Sequence, residues 1–329
     1  MSVALVLATT LVAAVTATAS PDPQASLREW VMGTVADVRV YAAADAPAAR
    51  AALGRAMDEI RAVDHLMAVQ RPDSDVSRVN REAATHAVAV DPRVLAVLRT
   101  SLEVSRLTDG AFDVTVLPTV LAWGFTGPMP ARPTGAVPRP AGFRTLRLDD
   151  AAGTVRFTDA AAGVDLGGIA KGYALDRARD VLRAAGVRSA WLDLGGEIAT
   201  IGAPPDGGRW RIAVRHPRRA GAVLGILEMG EGAVSTSGDG ERFVEDAAGR
   251  AGHIFDPRTG RPASALVTAT VVASSATLAD ALSTAAVVMG DEAFERLARR
   301  LDVGAVLGEL APDAAVRVRV TPGLRFEPA

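Results

Sequence analysis

Hydrophobic and polar positions change period several times along the chain of 329 residues. Val35 to Tyr41 sets Ala36, Val38 and Val40 on one side of an alternating run, the two-residue period of a half-buried strand. From Pro47 to Met67 the period lengthens to that of a helix, with Ala, Leu, Met, Ile and Val recurring on one face. Pro47 suits its first turn, and Arg71-Pro72-Asp73 lies just beyond its end. Pro92 to Leu107 is a second amphipathic helix, with Asp91 as N-cap, Pro92 in the first helical position and Thr108-Asp109-Gly110 as its stop.

Pro128 to Pro140 holds five prolines and reads as a loop. Two short strands follow, at Thr145 to Leu148 and Val155 to Thr158. Gly172 to Ala185 is helical, and Ala190 to Leu194 is a strand ending in Gly195-Gly196. Arg211 to Arg215 and Val223 to Glu228 read as paired strands, Val267 to Ala273 as another. Ala279 to Met289 and Glu292 to Leu301 are helical, and strands at Val303 to Leu307 and Val316 to Val320 close the chain. Ser74-x-x-Ser77-x-x-Asn80 reads as capping residues around a loop, and Ser235-Thr236-Ser237-Gly238 as a hydroxyl-rich turn. Strand pairs mix with helices without a regular strand-helix repeat, which predicts a layered α+β domain rather than a doubly wound sheet.

Composition narrows the function. A net charge of -2 removes the strongest reason to expect nucleic-acid binding, which needs a concentrated basic face. The absence of cysteine excludes disulfides, thiolate metal sites, thiol catalysis and a lipidated amino-terminal cysteine. Val3 to Val15 is an uncharged, largely apolar run followed by Ala17-Thr18-Ala19, the pattern of a secretory leader and its cleavage site. Export to an extracytoplasmic location is therefore expected, with a retained anchor or a cytoplasmic protein as alternatives. The chain divides into a leader over 1–19, a linker over 20–28, a catalytic domain over 29–312 and a C-terminal strand or tail over 313–329. One lysine, Lys171, stands among 35 arginines. A position that keeps a compact ammonium against such a bias is a candidate for chemistry that a guanidinium cannot perform.

Three stretches can carry that chemistry. In Asp165-Leu-Gly-Gly-Ile-Ala-Lys171-Gly-Tyr-Ala-Leu-Asp176, paired glycines precede a helix, so backbone amides and the helix terminus can meet an anion beside Lys171. Neither the Walker order nor a GxGxxG dinucleotide loop is present, and a tight turn with a surface lysine is the plain alternative. Asp280 and Thr284 are four residues apart, which puts a carboxylate and a hydroxyl on one helix face, a combination suited to Mg²⁺; alternatively the threonine bonds its own turn. His253-Ile-Phe-Asp256-Pro257-Arg-Thr-Gly260 is first a turn, with His253 free to act as a base or a ring contact.

Taken in order, Met32-Gly33-Thr34, SxxSxxN, TDGAFDVT, DLGGIAKGYALD, LGGE at Leu194 to Glu197, STSG, HIFDPRTG and ADALSTA resemble the FAD:protein FMN transferase (ApbE-type) family over Met32 to Leu307. The resemblance implies an ApbE/T-fold-like core of layered mixed sheet and helices, with its site in a cleft between two halves. It implies Mg²⁺-dependent transfer of FMN from FAD to a threonine hydroxyl of a target flavoprotein, releasing AMP. The target would be an FMN-binding domain of a membrane redox complex or similar. A FAD pyrophosphatase and a non-catalytic flavin-binding protein are the alternatives. By similarity, Met32, Ala111, Phe112, Asp113, Asp165, Lys171, His253 and Ile254 line the FAD site. Asp280, Thr284 and a carbonyl of the Gly167–Ala170 turn, assigned to Gly168, hold Mg²⁺. Lys171 steadies the diphosphate, and His253 or Asp256 takes the acceptor proton. The chain departs from the family at Ala68-Val69-Gln70 and at Gly240, where aromatic residues are usual.

Overall fold

The computed structural model describes residues 22–127 and 129–329; the leader assigned to 1–19 lies outside them. Eight strands form the main sheet: β1 (Ala25–Val31), β2 (Thr34–Ala42), β3 (Ser189–Leu194), β4 (Glu197–Ile201), β5 (Ala233–Gly238), β6 (Thr268–Ala273), β7 (Gly304–Leu310) and β8 (Val316–Val320). Their order across the sheet is their order in the chain, and each neighbouring pair is antiparallel. The sheet is thus a meander into which helices are inserted. Between β2 and β3 run α1 (Ala46–Met67), α2 (Asp75–Glu82), α3 (Pro92–Leu107), α4 (Leu117–Ala122) and α5 (Ala170–Ala184). Between β6 and β7 run α6 (Ala276–Met289) and α7 (Asp291–Leu301).

The layered α+β architecture expected from the sequence is present, in three layers. Helices cover one face, where α6 lies on β5 and β6 and α5 lies on β4. α6 is apolar or small on nearly every side, the composition of a helix buried all round. On the opposite face a three-stranded sheet, Trp210–Arg215, Val223–Met229 and Arg325–Pro328, packs through Trp210, Ile212 and Leu227 onto Ile198, Val234 and Val306. β4 is covered on both faces, which is why all five of its residues are buried.

Three sequence expectations need correction. The linker placed at 20–28 overlaps β1: its charged residues face water on an edge strand and pair across it, Arg28 with Asp37, and Glu29 with Arg61 of α1 at 2.6 Å. The strand read at Val316 to Val320 is present as β8, and beyond it Arg325–Pro328 supplies the edge strand of the second sheet. The SxxSxxN stretch is helical, since Ser74 accepts from Ser77 N and caps α2. The STSG stretch is β5 and not a turn, its hydroxyls paired laterally instead of with its own backbone. Among the described residues no helix is long and apolar enough to cross a membrane.

Candidate active site

Two glycine positions bring the site together. A Cβ on Gly172, in the first turn of α5, would lie 2.2 Å from the Ala276 carbonyl oxygen and 2.8 Å from Asp280 Cβ. Only glycine lets α5 and α6 approach this closely. The contact allows Gly172 N to donate to Asp280 Oδ2 at 2.9 Å. At the β3–β4 turn, Gly195 has φ +68° and a Cβ there would lie 2.4 Å from Thr34 Oγ1. Glu197 follows immediately, and its buried carboxylate sits beneath the lysine: Lys171 Nζ lies 2.7 Å from Oε1 and 2.8 Å from Oε2.

Burial works against the Lys171 ammonium, but the charges of Glu197 and then Asp280 outweigh it and hold the amine above its ordinary range. Burial pushes the Glu197 carboxyl up to about 8 and the Asp280 carboxyl up to about 6, each pulled back by Lys171. With both Glu197 oxygens within hydrogen-bond reach of Nζ, the contact is an ammonium–carboxylate pair, and the raised carboxyls reflect the desolvation it carries. The lysine is not a surface residue.

Thr284 lies one turn beyond Asp280. It does not bond its own helix; its hydroxyl contacts Ser237 of β5 at 3.2 Å. The Gly168 backbone lies against that hydroxyl: a Cβ there would be 3.0 Å from Thr284 Oγ1 and 3.5 Å from a ring carbon of Phe112. Asp280 Oδ1 takes no hydrogen bond among the described residues. One carboxylate oxygen, one hydroxyl and a glycine turn therefore converge as an all-oxygen set, the donor chemistry of a hard cation such as Mg²⁺. Among the described residues no group of three or more His, Cys, Asp or Glu side chains is placed to hold a metal. A cation here would take the rest of its shell from substrate and water.

Around this centre the expected residues divide. Asp165 is fixed by its own N–H to the Val114 carbonyl at 2.8 Å, and its Oδ1 accepts from Gly167 N at 2.7 Å; burial raises its carboxyl. Asn80 holds the preceding residue, accepting from Val164 N at 2.7 Å and donating to Val164 O at 2.9 Å. Asp113 accepts from Thr115 N, Thr115 Oγ1 and Phe143 N, so its buried carboxylate is a brace for the loop that carries Ala111 and Phe112. Met32 sits at φ +52° in the β1–β2 turn, partly buried against the core. His253 stands edge-on to Phe125, with ring centroids 6.2 Å apart and Nδ1 3.1 Å from the Arg242 carbonyl; burial lowers its pKa, and Glu241, Arg242 and Lys171 all act on it. Ile254 is buried beside it. Asp256 is engaged elsewhere, with Oδ1 on the Arg258 backbone and both oxygens on its guanidinium.

Asp176, at the far end of the lysine motif, spans to α6. Its oxygens accept from Ala276 N, Thr277 N, Thr277 Oγ1 and Ser275 Oγ, and from Arg179. It aligns the helix that bears Asp280 and Thr284.

The ApbE family profile matches residues 32–307, the span that contains every one of these groups. The chain belongs to the ApbE family. It is 35% identical over 284 residues to the FAD:protein FMN transferase of Vibrio cholerae, covering 83% of each chain. It is 35% identical over 297 residues to the FAD:protein FMN transferase of Rhodobacter capsulatus, covering 88% of this chain and 56% of that longer one. The ApbE protein of Thermotoga maritima has a similar structure, with a TM-score of 0.80, 29% identity, and coverage of 91% of this chain and 97% of that one.

Within this ApbE chain three contributors were not assigned roles from sequence. Glu197 carries a signal, a lone charge opening the otherwise apolar strand EIATI. Glu241, whose charge acts on Lys171, Glu197, Asp280 and His253, has no local signature. Ser283 is hidden in the small-residue pattern of a buried helix.

Proposed function

We propose that this ApbE-family chain transfers FMN from FAD to a threonine hydroxyl of a target flavoprotein, with Mg²⁺ bound at Asp280, Thr284 and the Gly168 carbonyl, releasing AMP. Flavin transfer is the activity that its relatives' names carry over most of this chain. The observation that supports the finer reading is the meeting of Lys171 and Gly168, from α5 and the glycine turn before it, with Asp280 and Thr284 of α6, about a hundred residues further along the chain.

In this reading the acceptor oxygen forms a bond to the FMN phosphorus as the bond from that phosphorus to the bridging oxygen breaks, and AMP leaves with that oxygen. Charge grows on the phosphoryl oxygens, so positioning and electrostatic stabilisation supply most of the rate. Bound Mg²⁺ would neutralise diphosphate charge. Lys171, held charged and aimed by Glu197, steadies the same oxygens. His253, neutral at pH 7 because burial lowers its pKa, accepts the acceptor proton. Asp256 is not given this role, since Arg258 occupies its carboxylate.

Incubation with FAD, Mg²⁺ and a recombinant FMN-binding domain bearing an acceptor threonine tests the reading. Flavin fluorescence that stays with the acceptor in a denaturing gel, with one AMP per label, is the expected result. AMP without labelled acceptor would instead identify a FAD pyrophosphatase.

A further inference from the structure

Four hydroxyl side chains meet where α6 lies on β5. Ser283 Oγ donates to the Asp280 carbonyl oxygen at 2.9 Å. A hydroxyl has a single proton, so toward Ser237 Oγ, 2.8 Å away, Ser283 only accepts; Ser235 Oγ lies 3.2 Å from Ser283 and also reaches Glu197 Oε1, to which it donates at 3.5 Å. Ser237, having donated to Ser283, accepts from Thr284 Oγ1 at 3.2 Å. The proton order therefore runs Thr284 to Ser237 to Ser283 to the Asp280 carbonyl.

That order has a consequence for Thr284. The Asp280 carbonyl is four residues before Thr284 and is the acceptor a helical threonine ordinarily uses. Ser283 occupies it. The Thr284 proton is drawn to β5, and its oxygen keeps its lone pairs for the side where Gly168 lies. We propose that Ser237 and Ser283 are positioning residues that orient the Thr284 hydroxyl as an oxygen ligand. The proposal rests on the cation reading of Asp280 and Thr284 given above. Ser235 and Ser283 are fully buried and Ser237 half-buried, so water does not readily replace these partners.

Mn²⁺ titration followed by electron paramagnetic resonance, on protein free of FAD, tests this without an activity readout. Ser237→Ala and Ser283→Ala are each expected to weaken Mn²⁺ binding by about 10–100-fold, the usual loss when a partner of a metal ligand is removed. The Mn²⁺-free melting temperature should change little, and Ser237→Thr should restore binding because it keeps the hydroxyl. Unchanged Mn²⁺ affinity in both alanine variants, with binding lost in Asp280→Ala, overturns the orienting role and leaves the cation site standing. Wild-type affinity in Asp280→Ala removes the cation site and the proposal with it. If Ser283→Ala fails to fold, Ser237→Ala and its threonine counterpart decide the matter alone.

Discussion

At the scale of the residue, Lys171 shows what an ammonium does that a guanidinium cannot. Nζ is a compact donor set between the two Glu197 oxygens, with Asp280 close enough to raise its pKa. A planar guanidinium needs more room and a different fork of acceptors. Lys171→Arg is expected to fold and to lose about 10²–10³ of its FMN transfer rate, the scale for one displaced electrostatic contact; steady-state kinetics with FAD and acceptor measure it. His253 sets the pH response. Burial lowers its pKa below the ordinary value of about 6.5 that the unfolded chain retains. The unfolded state then binds the proton more readily, so this contribution to stability is present above about pH 6.5 and fades as pH falls. For the reaction, kcat/KM should be flat near neutrality and drop on the acid side below 6.5, with His253→Asn lowering the plateau and abolishing that limb. An unchanged acid limb in the variant would assign the proton transfer to another group. The lysine was legible as a statistical exception in the sequence, whereas its counter-charge was not: Glu197 is 26 residues away and meets it only across a sheet and a helix.

Among elements, the decisive contact is α5 against α6. Gly172→Ala forces a methyl against the Ala276 carbonyl and should lower stability by about 1–3 kcal/mol while breaking the Gly172–Asp280 hydrogen bond. Gly54→Ala is the matched control: a Cβ there meets nothing within 4 Å in the middle of α1, and about 0.5–1 kcal/mol of stabilisation is expected. Thermal unfolding of the two variants should move in opposite directions. Asp176→Ala removes the acceptor for the first turn of α6 and the counter-charge of the buried Arg179, which keeps only the Ser274 and Gly232 carbonyls, at a cost of about 3–5 kcal/mol; a melting temperature within error of wild type would show that Ser275 caps α6 unaided. Periodicity located these helices within a few residues, because each has one apolar face or is apolar throughout. It missed α2, eight residues with few apolar positions, and it missed β5, whose Ser and Thr hydroxyls imitate a turn until cross-strand partners are known.

For the whole molecule, the central sheet and the sheet packed on it both draw on the C-terminal strands. Truncation after Pro312 would uncover β7 and remove the edge strand that completes the second sheet. An exposed apolar edge invites aggregation, so a larger share of the truncated protein than of the full chain is expected in the insoluble fraction on expression. Local sequence is enough for the layered α+β class, the longer helices, about half of the strands, the glycine turns and the order of motifs that mark the ApbE family. These follow from local rules, namely apolar period, capping and left-handed backbone positions, which neighbouring residues satisfy among themselves. Tertiary structure alone decided that the strand over Ala25–Val31 and the one over Arg325–Pro328 belong to sheets, that Asp113 and Asp176 are braces, and that Arg258 engages Asp256. It also decided the proton order through Ser237 and Ser283. Each of these depends on which atoms the fold places within about 3 Å, and residues such as Asn80 and Val164, or Asp176 and Ala276, carry no mark of that proximity in the chain.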